Sequence, residues 1–281
     1  MDKAIVLLSG GMDSATALYW AAERYHIAAV LNFNYGQRGA VHEFRCANML
    51  LASLKAQCKV QSRTELESLL VVYPKIFSTL MVSGAPLKLE KLDRYGQPFT
   101  FVPGRNLIFI SYATAVAYDL NARYIIGGWS GIDVSYPDCS RSFLESASIA
   151  AALAIGRSAY GYSSDSELEI KSPLSRLTKA ETVTLGESLG VPWELTRSCY
   201  ADDMEPCLAC DSCILRVKAF IAAGVRDPLV DDDDVWLALA DTYDGPNSNY
   251  GIEIHDIVLT DDDTYISAYI TPEGNNEPTS E

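Results

Sequence analysis

Apolar residues come in short blocks separated by polar turns. "AIVLL" (Ala4–Leu8) is unbroken and predicts a strand over Lys3–Leu8 covered on both faces. It runs into Ser-Gly-Gly and then into an alanine-rich stretch, Ser14–Arg24, with helical spacing. "IAAVLNFNY" (27–35) predicts a second strand, a helix follows to about Leu54, and "AQCKVQ" (56–61) predicts a short third strand. Residues 72–100 carry no period and read as a long loop with turn signals at Ser83-Gly84 and Tyr95-Gly96. A helix opened by Pro103-Gly104 precedes a strand over "ARYIIGG" (122–128). A helix over Phe143–Ile155, a strand over "ELEIKSPL" (167–174) and a helix from Thr178 to Leu189, stopped by Gly190, follow. Strands alternating with helices predict an α/β fold built on a doubly wound parallel sheet.

A further helix is expected up to Ala223, and then the character changes. "VDDDDVW" (230–236) reads as a charged break, "IEIHDIVLT" and "TYISAYIT" alternate as the strands of a hairpin, and the polar last ten residues read as disordered. The expected organisation is a catalytic domain over residues 1–220, including a metal loop at 199–213, and an acidic extension over 221–281.

Charge follows the same division. Residues 1–216 hold 20 basic against 22 acidic side chains, whereas residues 217–281 hold 2 against 15, so −13 of the net charge of −15 belongs to the last quarter of the chain. Such a tail opposes nonspecific nucleic-acid binding, while the near-neutral body leaves its ligand open. The first residues lack a cleavable leader pattern and no apolar run reaches spanning length, so the expectation is a cytoplasmic protein with no membrane partner.

The first strand ends where α/β sheets bind ligands. Ser9, Gly10 and Gly11 allow a tight turn that brings backbone N–H groups close to an anion, and the next helix adds its positive end. Neither GxxxxGK[ST] nor GxGxxG can be drawn through these residues. A plain strand–helix turn capped by Asp13 or Ser14 is the bland alternative. A second cluster, Cys199-x7-Cys207-x2-Cys210-x2-Cys213, offers four thiolates that can close a tetrahedral shell around structural Zn²⁺. An iron–sulfur cluster, unligated buried thiols and a redox CxxC are the other readings. The odd total of seven cysteines argues against a disulfide framework.

The full SGGxDS string resembles the signature of the PP-loop ATP pyrophosphatases. "SGGMDSAT" (9–16), "NYGQR" (34–38), "FVPGRNLIFIS" (101–111), "YPDC" (136–139), "PLSRLTKAETVTLGESLGVPWELTRSCY" (173–200) and "PCLACDSCILR" (206–216) together resemble the QueC family, the 7-cyano-7-deazaguanine synthases of that superfamily. The resemblance implies a PP-loop fold of the adenine nucleotide α-hydrolase type. It implies that ATP and Mg²⁺ sit on Leu8, Ser9, Gly10, Gly11, Met12, Asp13 and Ser14, with Asp13 organising the cation. It further implies two substrates, a deazapurine carboxylate, adenylated by ATP, and an amine that displaces AMP. Arg38 and Arg105 are the arginines expected to face phosphate or carboxylate, because a planar fork suits both. Lys179 is a further phosphate candidate or else a solvated first-turn lysine. Tyr35, Gln37, Asn106, Asp133, Tyr136, Pro137 and Asp138 are expected around the deazapurine, with Asp138 accepting from its N–H groups or else solvated. A homodimer is the family expectation.

The chain departs from the family pattern near these substrate positions. Asn34 stands for an aspartate, Gly39 for a histidine and His42 for a glutamate; Asp133 is shifted by one place and Ser140 stands for an arginine. The amine is therefore read two ways: ammonia, giving the nitrile, or a protein amine, as in QueC-like proteins of antiviral defence, with a partner recruited through the acidic extension. A tRNA-thiolating PP-loop enzyme is a third reading, opposed by the neutral body.

Overall fold

The computed structural model describes residues 1–57, 66–70, 95, 97, 100–130, 136–157, 167–241, 253–259 and 264–269. Five parallel strands form one sheet in the order β3-β2-β1-β4-β5: β1 (Lys3–Leu7), β2 (His26–Asn34), β3 (Leu66–Leu70), β4 (Tyr124–Ile126) and β5 (Glu169–Lys171). The connecting helices are α1 (Met12–Ala22), α2 (Ala40–Ala56), α3 (Arg105–Asp119), α4 (Arg141–Ala154) and α5 (Lys179–Leu189), with α6 (Asp211–Ala222) and α7 (Asp233–Asp241) following.

The unbroken apolar run of β1 serves two cores. Ala4 and Val6 face α1, α2, α5 and α6 through Tyr19, Leu50, Val183 and Phe220, whereas Ile5 and Leu7 face α3 and α4 through Ile110, Ala113 and Leu144. Each such fully buried Leu or Ile contributes about 1.5–3 kcal/mol. Strand order reverses between β1 and β4, so the loops leaving these neighbours, Leu8–Gly11 and Gly127–Ser130, diverge to opposite faces and open a crevice between them. The doubly wound sheet expected from the alternation is thus present.

Helix α5 bears on the site because it packs along α1. Its start is fixed by a capping box: Thr178 Oγ1 accepts from the Glu181 N–H at 3.1 Å, and Glu181 accepts from the Thr178 N–H at 2.7 Å. Gly190, at φ +73°, ends it. Lys179 therefore sits in the first turn, beside the first turn of α1.

Two sequence expectations need correction. "AQCKVQ" does not begin as a strand: Ala56 closes α2 and Gln57 is its C-cap, because the buried series Ala47, Leu50, Leu51 and Leu54 carries the helix on. The described edge strand is β3, at Leu66–Leu70. "VDDDDVW" is not a break but a helix start. Asp232 Oδ1 accepts from the Val235 N–H at 3.1 Å, and α7 packs Leu239 against Val217 and Val230. Nearly all of the predicted 72–100 loop, together with Asp133 and the last ten residues, lies outside the described residues. The two extension strands, β6 (Glu253–Leu259) and β7 (Thr264–Tyr269), pair antiparallel as a separate two-stranded sheet. No helix among the described residues is long and apolar enough to cross a membrane.

Candidate active site and metal centre

The crevice at the strand reversal is a cleft of about 350 Å³. Its floor is the turn after β1. Leu8 is pinned on both sides: its N–H donates to Leu31 O and its carbonyl accepts from buried Asn32 Nδ2, both at 2.8 Å. Gly10 then takes φ +84°, and a Cβ there would stand 2.7 Å from the Glu43 carbonyl. Ser14 Oγ donates to Gly11 O at 3.0 Å and lies 3.1 Å from Ser9 Oγ, which accepts from the Gly11 N–H at 3.3 Å. Met12 is buried beneath the loop as the first residue of α1, and Gly11 caps that helix without a side-chain hydrogen bond. The unpaired N–H groups of the first turn and the helix dipole make this a positive, anion-accepting corner.

Asp13 and Lys179 meet across this corner. Lys179 Nζ donates to Asp13 Oδ2 at 2.6 Å with both side chains half-buried, while Asp13 Oδ1 is buried with no partner. A carboxylate oxygen in that condition suits a divalent cation. From the facing side, Gly128 presses on the backbone of Asp13.

The opposite wall comes from β2 and α3. Arg105 Nη1 donates to the Tyr35 hydroxyl at 3.0 Å, and its guanidinium lies 5.5 Å from that ring's centre. Burial opposes the Arg105 charge, but Tyr35 and Asp138 outweigh it and hold the group charged beyond its ordinary range. Arg38 and Asn106 line the same cleft, and so does Tyr136, whose hydroxyl lies 2.6 Å from Thr100 Oγ1. Thus Ser9, Gly11, Asp13, Ser14, Tyr35, Gln37, Arg38, Arg105, Asn106, Tyr136 and Lys179 are brought to one crevice.

Three predicted residues, Gly10, Pro137 and Asp138, do not line the cleft. Asp138 is buried behind the wall, where Oδ2 accepts from the Asn106 N–H and its carbonyl from Asn106 Nδ2, both at 3.1 Å. It and Pro137 are absent from the cleft lining; Asp138 anchors the start of α3. Gln37 reaches the cleft with its amide committed, since Oε1 accepts from the Tyr35 N–H and Nε2 donates to Phe33 O and to Glu43 Oε2.

Glu43 was not singled out from sequence, yet its carboxyl lines the cleft, while His42 turns outward to Asp202 and Met204. Burial pushes Glu43 above the usual carboxylate range, against the opposing hydrogen bond from Gln37. The folded protein keeps this proton to a higher pH than the unfolded chain, so it costs stability as pH rises above the ordinary glutamate value. Glu43→Gln is expected to gain stability over the wild type through that window and keep a constant advantage above it. Melting temperatures across a pH series check this; a pH-independent difference would mean that Glu43 ionises normally.

One cleft wall is shared with the thiol cluster, through Ser198, Cys199, Tyr200 and Ser212. The sulfurs of Cys199, Cys207, Cys210 and Cys213 lie within 4.8 Å of one another, and those of Cys207 and Cys213 are 4.0 Å apart. A tetrahedral thiolate site with bonds of about 2.3 Å spaces its sulfurs about 3.8 Å apart, so little closure is required. The N–H groups of Ala201 and Cys207 point at Cys199 Sγ and that of Cys210 at Cys207 Sγ, as donors to thiolates would. Hydrogen bonding, chiefly from Cys199, pulls the Cys207 thiol down, while the crowded sulfurs push Cys210 and Cys213 up. These titrations belong to the cluster as a whole, and a bound ion takes the place of its protons.

A family model described as "Queuosine biosynthesis protein QueC" matches residues 3–224. A 7-cyano-7-deazaguanine synthase of Psychrobacter sp. (strain PRwf-1) is 39% identical over 233 residues, 81% of this chain and 89% of its own length. One from Chromobacterium violaceum is 38% identical over 82% of this chain and 94% of its own, and one from Methanoculleus marisnigri is 35% identical over 82% and 98%. Among solved structures, the U34-tRNA thiolase NcsA of Methanococcus maripaludis, with its 4Fe–4S cluster, is a distant neighbour. Its TM-score is 0.40 at 14% identity, covering 85% of this chain and 70% of that one. With the family model spanning most of the chain and synthases aligned over four-fifths of it, the chain belongs to the QueC family.

Proposed function

We propose that the protein activates the carboxylate of a 7-carboxy-7-deazaguanine-type substrate with ATP and passes the acyl group to ammonia, ending at the nitrile. The observation that carries this reading is the Asp13–Lys179 pair at the anion-accepting corner, facing Arg38 and Arg105 across one cleft. The reaction needs no nucleophile from the protein; the site neutralises charge and holds two anions together.

A substrate carboxylate oxygen attacks the α-phosphorus of ATP and pyrophosphate leaves, giving an acyl adenylate. Ammonia attacks the acyl carbon, and AMP departs carrying the carboxylate oxygen. The amide oxygen then attacks the α-phosphorus of a second ATP and expels pyrophosphate, and loss of AMP with that oxygen, together with two N–H protons, leaves the nitrile. The β- and γ-phosphates belong on the N–H groups of Gly10, Gly11 and the first turn of α1. Lys179 sits where charge builds on the leaving pyrophosphate. Arg105, braced by Tyr35, and Arg38 hold the carboxylate in line. Asp13, through its unpartnered Oδ1, fits a Mg²⁺ ligand, and that cation supplies further charge neutralisation on the phosphates. The family match over 3–224 supports residues 1–220 as the catalytic unit, with 221–281 an addition whose α7 rests on α6.

Incubating the purified protein with ATP, Mg²⁺, 7-carboxy-7-deazaguanine and ammonium tests the reaction, with the deazapurine followed by mass spectrometry. The nitrile with AMP and pyrophosphate is expected. AMP release that stops at the adenylate or amide would overturn ammonia as the amine, and no AMP would overturn the activity.

We infer that the thiol cluster holds structural Zn²⁺. The donor set and the N–H···S contacts support this assignment over an open catalytic site, because four sulfurs leave no position for a substrate. Cys213→Ser, at a buried ligand, is expected to lower zinc from about one ion per chain to about a tenth of that. Elemental analysis after gel filtration checks it; full zinc retention would sink the assignment.

A further inference from the structure

Arg197 joins the loop that accepts anions to the loop that carries the thiols. Its backbone N–H donates to Gly10 O at 2.9 Å, and its carbonyl would lie 3.3 Å from a Cβ on Gly11. Its guanidinium reaches the other way, Nη1 donating to the Asp203 carbonyl and Nη2 to the Ala201 carbonyl. Both acceptors lie between the first two cysteines of the cluster. The residue is 5% exposed, lines the cleft, and keeps Nε buried without a partner. Gly39 gives it room. A Cβ at that position would stand 3.4 Å from Nε and 3.5 Å from Nη2, so a histidine ring there would displace the guanidinium.

The carbonyls that hold Arg197 are not fixed by regular secondary structure. The segment 200–209 forms bends, and the N–H groups of Ala201 and Cys207 bond to sulfur. Its path therefore depends on the four sulfurs being drawn together. A buried guanidinium bound to two carbonyls transmits that path rigidly, since leaving either bond unmade costs more than the bond is worth in water.

We propose that Arg197 is a positioning residue that couples metal occupancy of the thiol cluster to nucleotide affinity at Gly10–Gly11. A thiophilic divalent ion fixes the carbonyls that hold Arg197, and Arg197 fixes the phosphate loop. By reciprocity, a nucleoside triphosphate on that loop tightens binding of the ion, and we place that gain in a slower release. The coupling rests on the proposed ATP and metal sites.

The test uses full-length zinc-loaded protein. Zinc release to a chelating dye is timed with and without α,β-methylene-ATP and Mg²⁺, and calorimetry on the same samples measures nucleotide binding. The nucleotide is expected to slow release about tenfold in the wild type, the size of a typical coupling. Arg197→Met, with circular dichroism unchanged, is expected to bind nucleotide about tenfold more weakly and release zinc at one rate throughout, while Arg197→Lys recovers part of the response. If nucleotide binds the wild type but leaves zinc release unchanged, the coupling is wrong, and the wild type alone decides this without any variant. Nucleotide-dependent slowing that persists in Arg197→Met would remove Arg197 as the link. Absence of nucleotide binding would overturn the reading of the loop and the coupling with it.

Discussion

Asp13→Asn is expected to slow AMP formation by about 10²–10³-fold, the loss typical of removing one preorganised charged group from a transition state. The substitution keeps size and shape but removes a charge with two uses. Oδ2 accepts from Lys179 Nζ at 2.6 Å, and Oδ1 is buried without a partner, ready for a cation. An amide oxygen still accepts from lysine, but it no longer neutralises the ammonium or attracts Mg²⁺ as a carboxylate does. The fold should be spared, since the half-buried pair contributes little to stability next to the two apolar cores. Single-turnover AMP formation beside a thermal melt checks both halves; a melting temperature lost along with the rate would make Asp13 structural.

Gly128→Ala is the second large effect. A Cβ at this position would lie 2.6 Å from the Asp13 carbonyl carbon and 2.7 Å from Asp13 O and Ser14 N. These are backbone atoms of the first turn of α1, so no rotamer change relieves the clash. The turn must shift, taking with it the N–H groups and the Asp13–Lys179 pair. Forcing a methyl into fixed backbone costs about 1–3 kcal/mol, and because binding must bring the turn back to its place this is about 5–150-fold in nucleotide affinity. Titration with α,β-methylene-ATP measures it, and an unchanged Kd would show that β4 does not set the position of the phosphate loop.

The phosphate corner was legible because its signals are local. An apolar run ends, three small residues turn, and helical spacing begins, so Ser9–Ser14 announce themselves. The thiol spacing is equally local. The cleft wall was less legible because burial of charge is a tertiary property. Glu43 and Arg197 were given no role from the sequence, although Arg197 lies inside the family-like stretch 173–200, and only the packing of α2 against the loop after Thr196 brings them to the cleft. One available signal was Gly39, a small residue that leaves room for a side chain from elsewhere. Asp138 shows a second tertiary effect: the acid expected to meet a ligand also holds a helix start through Oδ2, while its Oδ1 is buried without a partner. The four aspartates at 231–234 misled for a related reason. A charge run suggests a break, but acids are favoured at a helix N-terminus, where Asp232 caps α7.

The central claim is that the substrate carboxylate, not water, attacks the α-phosphorus. Substrate labelled with oxygen-18 in its carboxylate tests this directly when AMP, pyrophosphate and deazapurine are weighed after one turnover. Transfer of label into AMP is predicted, with none in pyrophosphate. Unlabelled AMP alongside a consumed ATP would mean hydrolysis by water and would contradict the account.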